Sequence, residues 1–148
     1  MKFHYPLQKI VDLKGSEKSM AEWEYAASLG KLKAEEEALA SLTRDLEQMV
    51  QALSEQTKRP TSLFEIQRMQ EYIGWLEQRI RHQREGVRKA KEAARLRQRK
   101  LADRTVDEKV WLNARDRAKE LFVQQALANE QNTLDEMAVM RAAASARR

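Results

Sequence analysis

The sequence predicts an all-α fold, a long antiparallel two-helix coiled coil, and three observations carry that reading. Ala, Leu, Glu, Lys and Arg make up 81 of the 148 residues, a bias that marks long helices or coiled coil. Four Gly and two Pro leave almost no chain reversals, which argues against a sandwich, a barrel or an alternating α/β fold. Apolar residues recur by alternating threes and fours along two long stretches parted by one short break, as in a heptad seam. With three each of Trp, Tyr and Phe and a mean hydropathy of -0.78, the chain also lacks material for a thick core.

The chain reads as one elongated domain over residues 1–148, with a first arm over 6–57. There Tyr25, Leu29, Leu32, Leu39, Leu46, Val50 and Leu53 step by fours and threes, with Glu36 and Thr43 as polar members. Upstream, Leu7, Ile10, Leu13, Met20 and Ala27 follow the same rule in another phase, so a slip is expected near Trp23. Residues 57–62 form the turn: polar side chains and Pro60 interrupt the heptad, and Ser62-Leu63-Phe64-Glu65 has the form of a capping box that opens a second helix.

The second arm is expected over 63–130. Ile66, Met69, Ile73, Leu76, Ile80, Val87, Ala90, Ala94 and Leu101 keep the heptad, with Gln83 and Arg97 as polar members. Beyond them Val106, Val110, Ala114 and Ala118 step by four and drift off it. The polar run Asn129 to Asn132 suggests a hesitation before a short helical tail over 133–145, opened by Thr133-Leu134-Asp135-Glu136.

One short turn makes the arms antiparallel, so facing residues should have numbers that sum to about 120. Charge supports this register. Ser16 to Gln56 carries nine acids and four bases, whereas Arg79 to Arg104 carries eleven bases and three acids. Glu35, Glu36 and Glu37 then lie opposite Gln83, Arg84 and Glu85, and Glu22 and Glu24 lie opposite Arg95, Arg97 and Arg99. Exposed ion pairs are individually weak, so these charges select register more than they set stability.

No phosphate-binding loop, dinucleotide fingerprint, HExxH or calcium-loop spacing occurs. His4 and His82 stand far apart without Cys, and the chain has no cysteine at all, so thiol, disulfide and zinc-finger chemistry are excluded. No apolar run is long enough for a membrane span and no leader pattern opens the sequence, which places the chain in the cytoplasm, without enzymatic activity or cofactor. Function is then expected on its surfaces. The basic run Arg79 to Arg104 is better explained by the acidic first arm than by nucleic acid, because stacking aromatics are missing from it. Tyr72 and Trp75 flank the seam where a solvated helix normally carries charge, and they read equally as cover for the first arm or as a docking hot spot. Trp23 and Tyr25 are expected to pack into the seam. Phe122, Leu134 and Met137 are expected to extend past the first arm without an intrachain partner, while Phe3, Leu7 and Ile10 lie beside Val110 and Ala114.

The opening Phe3-His4-Tyr5-Pro6-Leu7-Gln8-Lys9-Ile10-Val11-Asp12-Leu13-Lys14 resembles the start of the flagellar export protein family FliJ. Tyr72-Ile73-x-x-Leu76-Glu77-x-x-Ile80 and Leu134-Asp135-Glu136 before an Ala- and Arg-rich end agree with it. The resemblance implies an antiparallel coiled coil similar to the central stalk of rotary ATPases. It implies a component of the flagellar type III export apparatus, peripheral at the cytoplasmic face of the cell membrane. The implied partners are the export ATPase FliI, its regulator FliH, the export gate FlhA and export chaperones. Carried onto this sequence, with the aromatic flank included, the gate surface is Tyr72, Trp75, Leu76, Arg79 and Gln83; the ATPase-ring surface is Phe3, Leu7, Ile10, Phe122, Leu134 and Met137. The alternatives are a self-associating cytoskeletal or scaffold coiled coil and a basic nucleic-acid-binding hairpin.

Overall fold

The computed structural model describes residues 2–147. Two α-helices account for almost all of them, α1 over Gln8–Thr57 and α2 over Leu63–Ala146, and no strand occurs among the described residues. The fold is the expected helical hairpin. It divides into two compact units, one formed by the residues up to Lys18 with those from Asp103 onward, the other by Ser19–Ala102.

The turn closes through side chains. The Gln56 amide donates to the Thr61 hydroxyl at 3.0 Å and to the Glu65 carboxylate at 3.3 Å, and Thr61 Oγ1 donates in turn to Glu65 at 3.3 Å. Glu65 thus ties the first turn of α2 to the last turn of α1. Ile66 N donates to Ser62 O, which opens the helix.

In α1 a covered series runs Val11, Lys14, Lys18, Ala21, Tyr25, Ser28, Leu32, Glu35, Leu39, Leu42, Leu46, Met49, Leu53 and Gln56, with Gly15, Glu17, Glu24 and Thr43 half-buried beside it. This is one heptad series without a slip. The expected seam shares its Tyr25-Leu32-Leu39-Leu46-Leu53 half, but the other half lies one residue earlier than expected, at Ser28, Glu35, Leu42 and Met49 rather than Leu29, Glu36, Thr43 and Val50. Leu29 and Val50 are exposed. Polar Ser28 and Glu35 can occupy the seam because they are bonded there: Ser28 Oγ donates to Tyr25 O at 2.7 Å, and Glu35 accepts from Gln83 of α2. With no slip, Trp23 is 78% exposed, contrary to expectation, while Tyr25 sits in the seam.

In α2 the expected seam is the observed one from Ile66 to Leu101 except at Arg97, whose side chain is exposed, and it includes the buried Leu76, Ile80, Val87, Ala90 and Ala94. Thereafter Val106 and Val110 are exposed, and the heptad continues through Arg104, Glu108, Trp111, Arg115, Ala118 and Phe122. The expected drift is absent because charged side chains hold the seam. Nor does the helix hesitate at Asn129–Asn132; Thr133 Oγ1 donates to Asn129 O at 2.9 Å and bonds back inside the helix instead of capping a new one. The tail expected at 133–145 is the end of α2 itself.

Candidate docking surfaces

Within Ser19–Ala102 the register is fixed by polar contacts across an apolar seam. Gln83 Nε2 donates to Glu35 O at 3.0 Å and also to the Glu35 carboxylate. Glu24 receives Arg97 at 2.7 Å and Lys100 at 3.3 Å, and the Lys100 hydrogen bond foremost holds its carboxyl below the usual range. Both contacts fall in the register expected from the charge count.

On the flank of this unit Tyr72 and Trp75 stack at 5.7 Å between ring centroids, and the Arg79 guanidinium lies over the Trp75 ring at 5.6 Å. Tyr72 is 43% and Trp75 50% exposed. Trp75 is therefore flanked by Tyr72 and Arg79 and stays half exposed. One helical turn earlier, Arg68 lies over Phe64 at 5.9 Å. Phe64, Arg68, Tyr72, Trp75 and Arg79 recur by fours and threes, so one face of α2 carries aromatics and cations in mutual contact. The sequence reading missed Phe64 and Arg68, although their spacing before Tyr72 was a legible signal. A groove of about 410 Å³ lined by Met49, Gln56, Glu65, Arg68, Met69 and Tyr72 adjoins this face.

The other two residues assigned to this surface lie elsewhere. Leu76, 1% exposed, belongs to the core, and Gln83 is a polar seam member engaged by Glu35. Neither offers its side chain to a partner.

The unit formed by the residues up to Lys18 and from Asp103 onward has an ionic seam. Lys14 meets Asp107 at 2.9 Å, Lys18 meets Glu108 at 3.3 Å, and Arg104 meets Glu17 at 3.1 Å. The hydrogen bond that Lys14 donates to Asp107 raises the Lys14 pKa against the opposing effect of desolvation. Phe3 packs on Phe122 at 5.5 Å and stacks on Tyr5 at 6.3 Å, so Phe122 has an intrachain partner, contrary to expectation. Ile10 is half-buried, whereas Leu7 is exposed. A cavity of about 350 Å³ beside the Phe3 cluster is lined by His4, Tyr5, Gln8, Arg115, Asp116 and Lys119.

Past Phe122 every described residue of α2 is exposed. The heptad positions there fall on Gln125, Asn129, Asn132 and Glu136, while Val123, Leu127, Leu134 and Met137 form a stripe one or two residues past heptad positions. Leu134 and Met137 thus belong to an apolar face distinct from the seam. Among the described residues no group of three His, Cys, Asp or Glu could hold a metal ion, and no helix is long and apolar enough to cross a membrane.

An antiparallel helical hairpin with an exposed aromatic flank and an uncovered helix end defines a class of coiled-coil protein equipped to engage other macromolecules. The chain belongs to the FliJ family: the profile of the flagellar FliJ protein matches residues 2–147. It is accordingly a component of a type III export apparatus. The fold is similar to a solved structure described as that of a YscO homolog, CT670 from Chlamydia trachomatis, with 20% sequence identity, 94% of each chain covered and a TM-score of 0.63. No curated protein matches the chain.

Proposed function

We propose that the chain is the coiled-coil stalk that engages the export ATPase FliI and its regulator FliH, docks the gate FlhA and escorts export chaperones, working as a peripheral protein at the cytoplasmic face of the membrane. The observation that supports gate docking is the exposed Tyr72–Trp75–Arg79 stack, since aromatics and Arg held on a surface are the usual hot-spot residues of an interface. For the ATPase ring the support is the Val123–Leu127–Leu134–Met137 stripe, whose apolar surface is costly to leave in water. Phe3, Ile10 and Phe122 act behind it by holding the chain start on α2; exposed Leu7 joins the contact surface.

The test pairs one variant with one truncation. Tyr72→Ala should weaken binding to the purified gate domain by roughly 1–3 kcal/mol, read by calorimetry, with helicity unchanged. Deletion from Asn132 onward should abolish stimulation of the ATPase and leave gate binding intact. Full gate affinity in Tyr72→Ala, or full ATPase stimulation by the truncated chain, would overturn the corresponding assignment.

A further inference from the structure

The basic run of α2 is only partly neutralised by the acidic first helix. Arg97 and Lys100 reach Glu24, and Arg104 reaches Glu17. Arg88 and Arg95 instead hold Glu85 and Glu92 of their own helix, each at 2.6 Å. The side chains of Arg81, Arg84 and Lys91 carry no hydrogen bond or ion pair among the described residues.

These five cations are not scattered. Arg81, Arg84, Arg88, Lys91 and Arg95 each follow a seam residue by one position, at Ile80, Gln83, Val87, Ala90 and Ala94, so they form one row beside the seam. All five are exposed. The row runs over fifteen residues, Arg81 to Arg95, about 21 Å at 1.5 Å per residue. The corresponding positions of α1, one past each seam residue, are Ala26, Leu29, Lys33, Glu36 and Ala40. In an antiparallel pair like flanks adjoin, as the Glu24–Lys100 contact on the opposite flank displays. Across the seam the cation row therefore borders small and apolar side chains, a sixth cation and a single acid, while Glu85 and Glu92 pair with Arg88 and Arg95 on its own helix. The charge complementarity of the two arms holds on one flank and fails on this one. Trp23, next round α1 from Ala26, stands at the rim.

We propose that this flank of the hairpin rests on an anionic lipid surface. The inference does not depend on the ATPase and gate reading. A row of cations about 5 Å apart, with Ala and Leu between the two helices and no groove needed, suits a plane of headgroups. The Arg and Lys stems can lie along the interface while their charges meet phosphates. Trp23 at the rim takes the position that indole rings favour at a headgroup boundary. Nucleic acid fits less well, because no aromatic side chain interleaves the row for base stacking.

The full chain should co-sediment with vesicles of phosphatidylcholine mixed with phosphatidylglycerol at about 0.1 M salt, where the Debye length is about 10 Å, and not with phosphatidylcholine alone. Each cation near such a surface contributes about a fivefold gain in partitioning, so the triple variant Arg81→Gln, Arg84→Gln, Lys91→Gln should bind about a hundredfold more weakly, with unchanged helicity. Two single-tryptophan chains locate the contact. With Trp75 and Trp111 replaced by Phe, Trp23 emission should shift to the blue and be quenched by brominated lipid; with Trp23 and Trp111 replaced, Trp75 emission should not respond. Wild-type binding by the triple variant, equal binding to neutral vesicles, quenching of Trp75 rather than Trp23, or capture of duplex DNA under conditions where vesicles are ignored would each overturn the proposal.

Discussion

The seam of Ser19–Ala102 and the seam of the unit that joins the residues up to Lys18 with those from Asp103 onward share one heptad geometry and differ in chemistry. The first is built on Leu76, Ile80, Val87, Ala90 and Ala94. The second buries Val11 but otherwise meets through Lys14, Glu17 and Lys18 against Arg104, Asp107 and Glu108. Burial of aliphatic groups supplies stability that no solute easily reaches, whereas half-exposed ion pairs chiefly fix which residue faces which and weaken with salt. One periodicity thus carries mostly aliphatic burial in one unit and mostly ion pairs in the other, while polar contacts set the register in both.

The largest expected effect tests the apolar half. Leu76→Ala removes the most deeply buried side chain of the seam and should cost about 2–5 kcal/mol in urea unfolding. A cost near zero would mean that the apolar seam is not what holds the hairpin together.

A smaller effect contrasts two glycines. A Cβ on Gly30 would meet nothing within 4 Å, whereas one on Gly15 would lie 3.1 Å from a carboxylate oxygen of Glu108, the partner of Lys18. Gly30→Ala should therefore stabilise by about 0.5–1 kcal/mol through helix propensity. Gly15→Ala should gain less, because the new methyl displaces an ion-paired carboxylate. Equal gains in thermal unfolding would remove this distinction between the units.

The smallest effects concern pH, and the two units should respond at opposite ends of the scale. Lys14 has a raised pKa, so its contribution is fully present below its ordinary value of 10.5 and is lost as the pH rises through the folded value. Glu24 has a lowered pKa, so its contribution is present above 4.5 and is lost as the pH falls through the folded value. Lys14→Gln should flatten the alkaline limb of a melting-temperature profile, and Glu24→Gln the acid limb. An unchanged alkaline limb in Lys14→Gln, or an unchanged acid limb in Glu24→Gln, would break the assignment.

The same contrast governs what could be read from the sequence. The seam of α2 from Ile66 to Leu101 was legible residue by residue because aliphatic and Ala side chains carry most of it. The continuation through Arg104, Glu108 and Arg115 was not, since a charged side chain at a seam position looks like a solvated one until its partner is known. On α1 the apolar Leu29 and Val50 drew the second half of the seam one position too far, onto the neighbouring flank. For the docking surface, Tyr72 and Trp75 stood out as aromatics off the seam. That Leu76 is core and that Gln83 is spent on Glu35 required the register at single-residue precision. The Phe3–Phe122 contact joins a segment that precedes α1 to the far part of α2, and no periodicity reports on such a segment.

The Tyr72–Trp75–Arg79 stack carries a consequence for the timing of recognition. Long side chains on a helix surface ordinarily sample several rotamers, and immobilising each one on binding costs about 0.5–1.5 kcal/mol. Here ring rests on ring and guanidinium on ring before any partner arrives. A protein docking on this flank, as proposed, would meet side chains that already rest on one another. Less side-chain entropy would then be lost on binding than at a surface of separately rotating side chains.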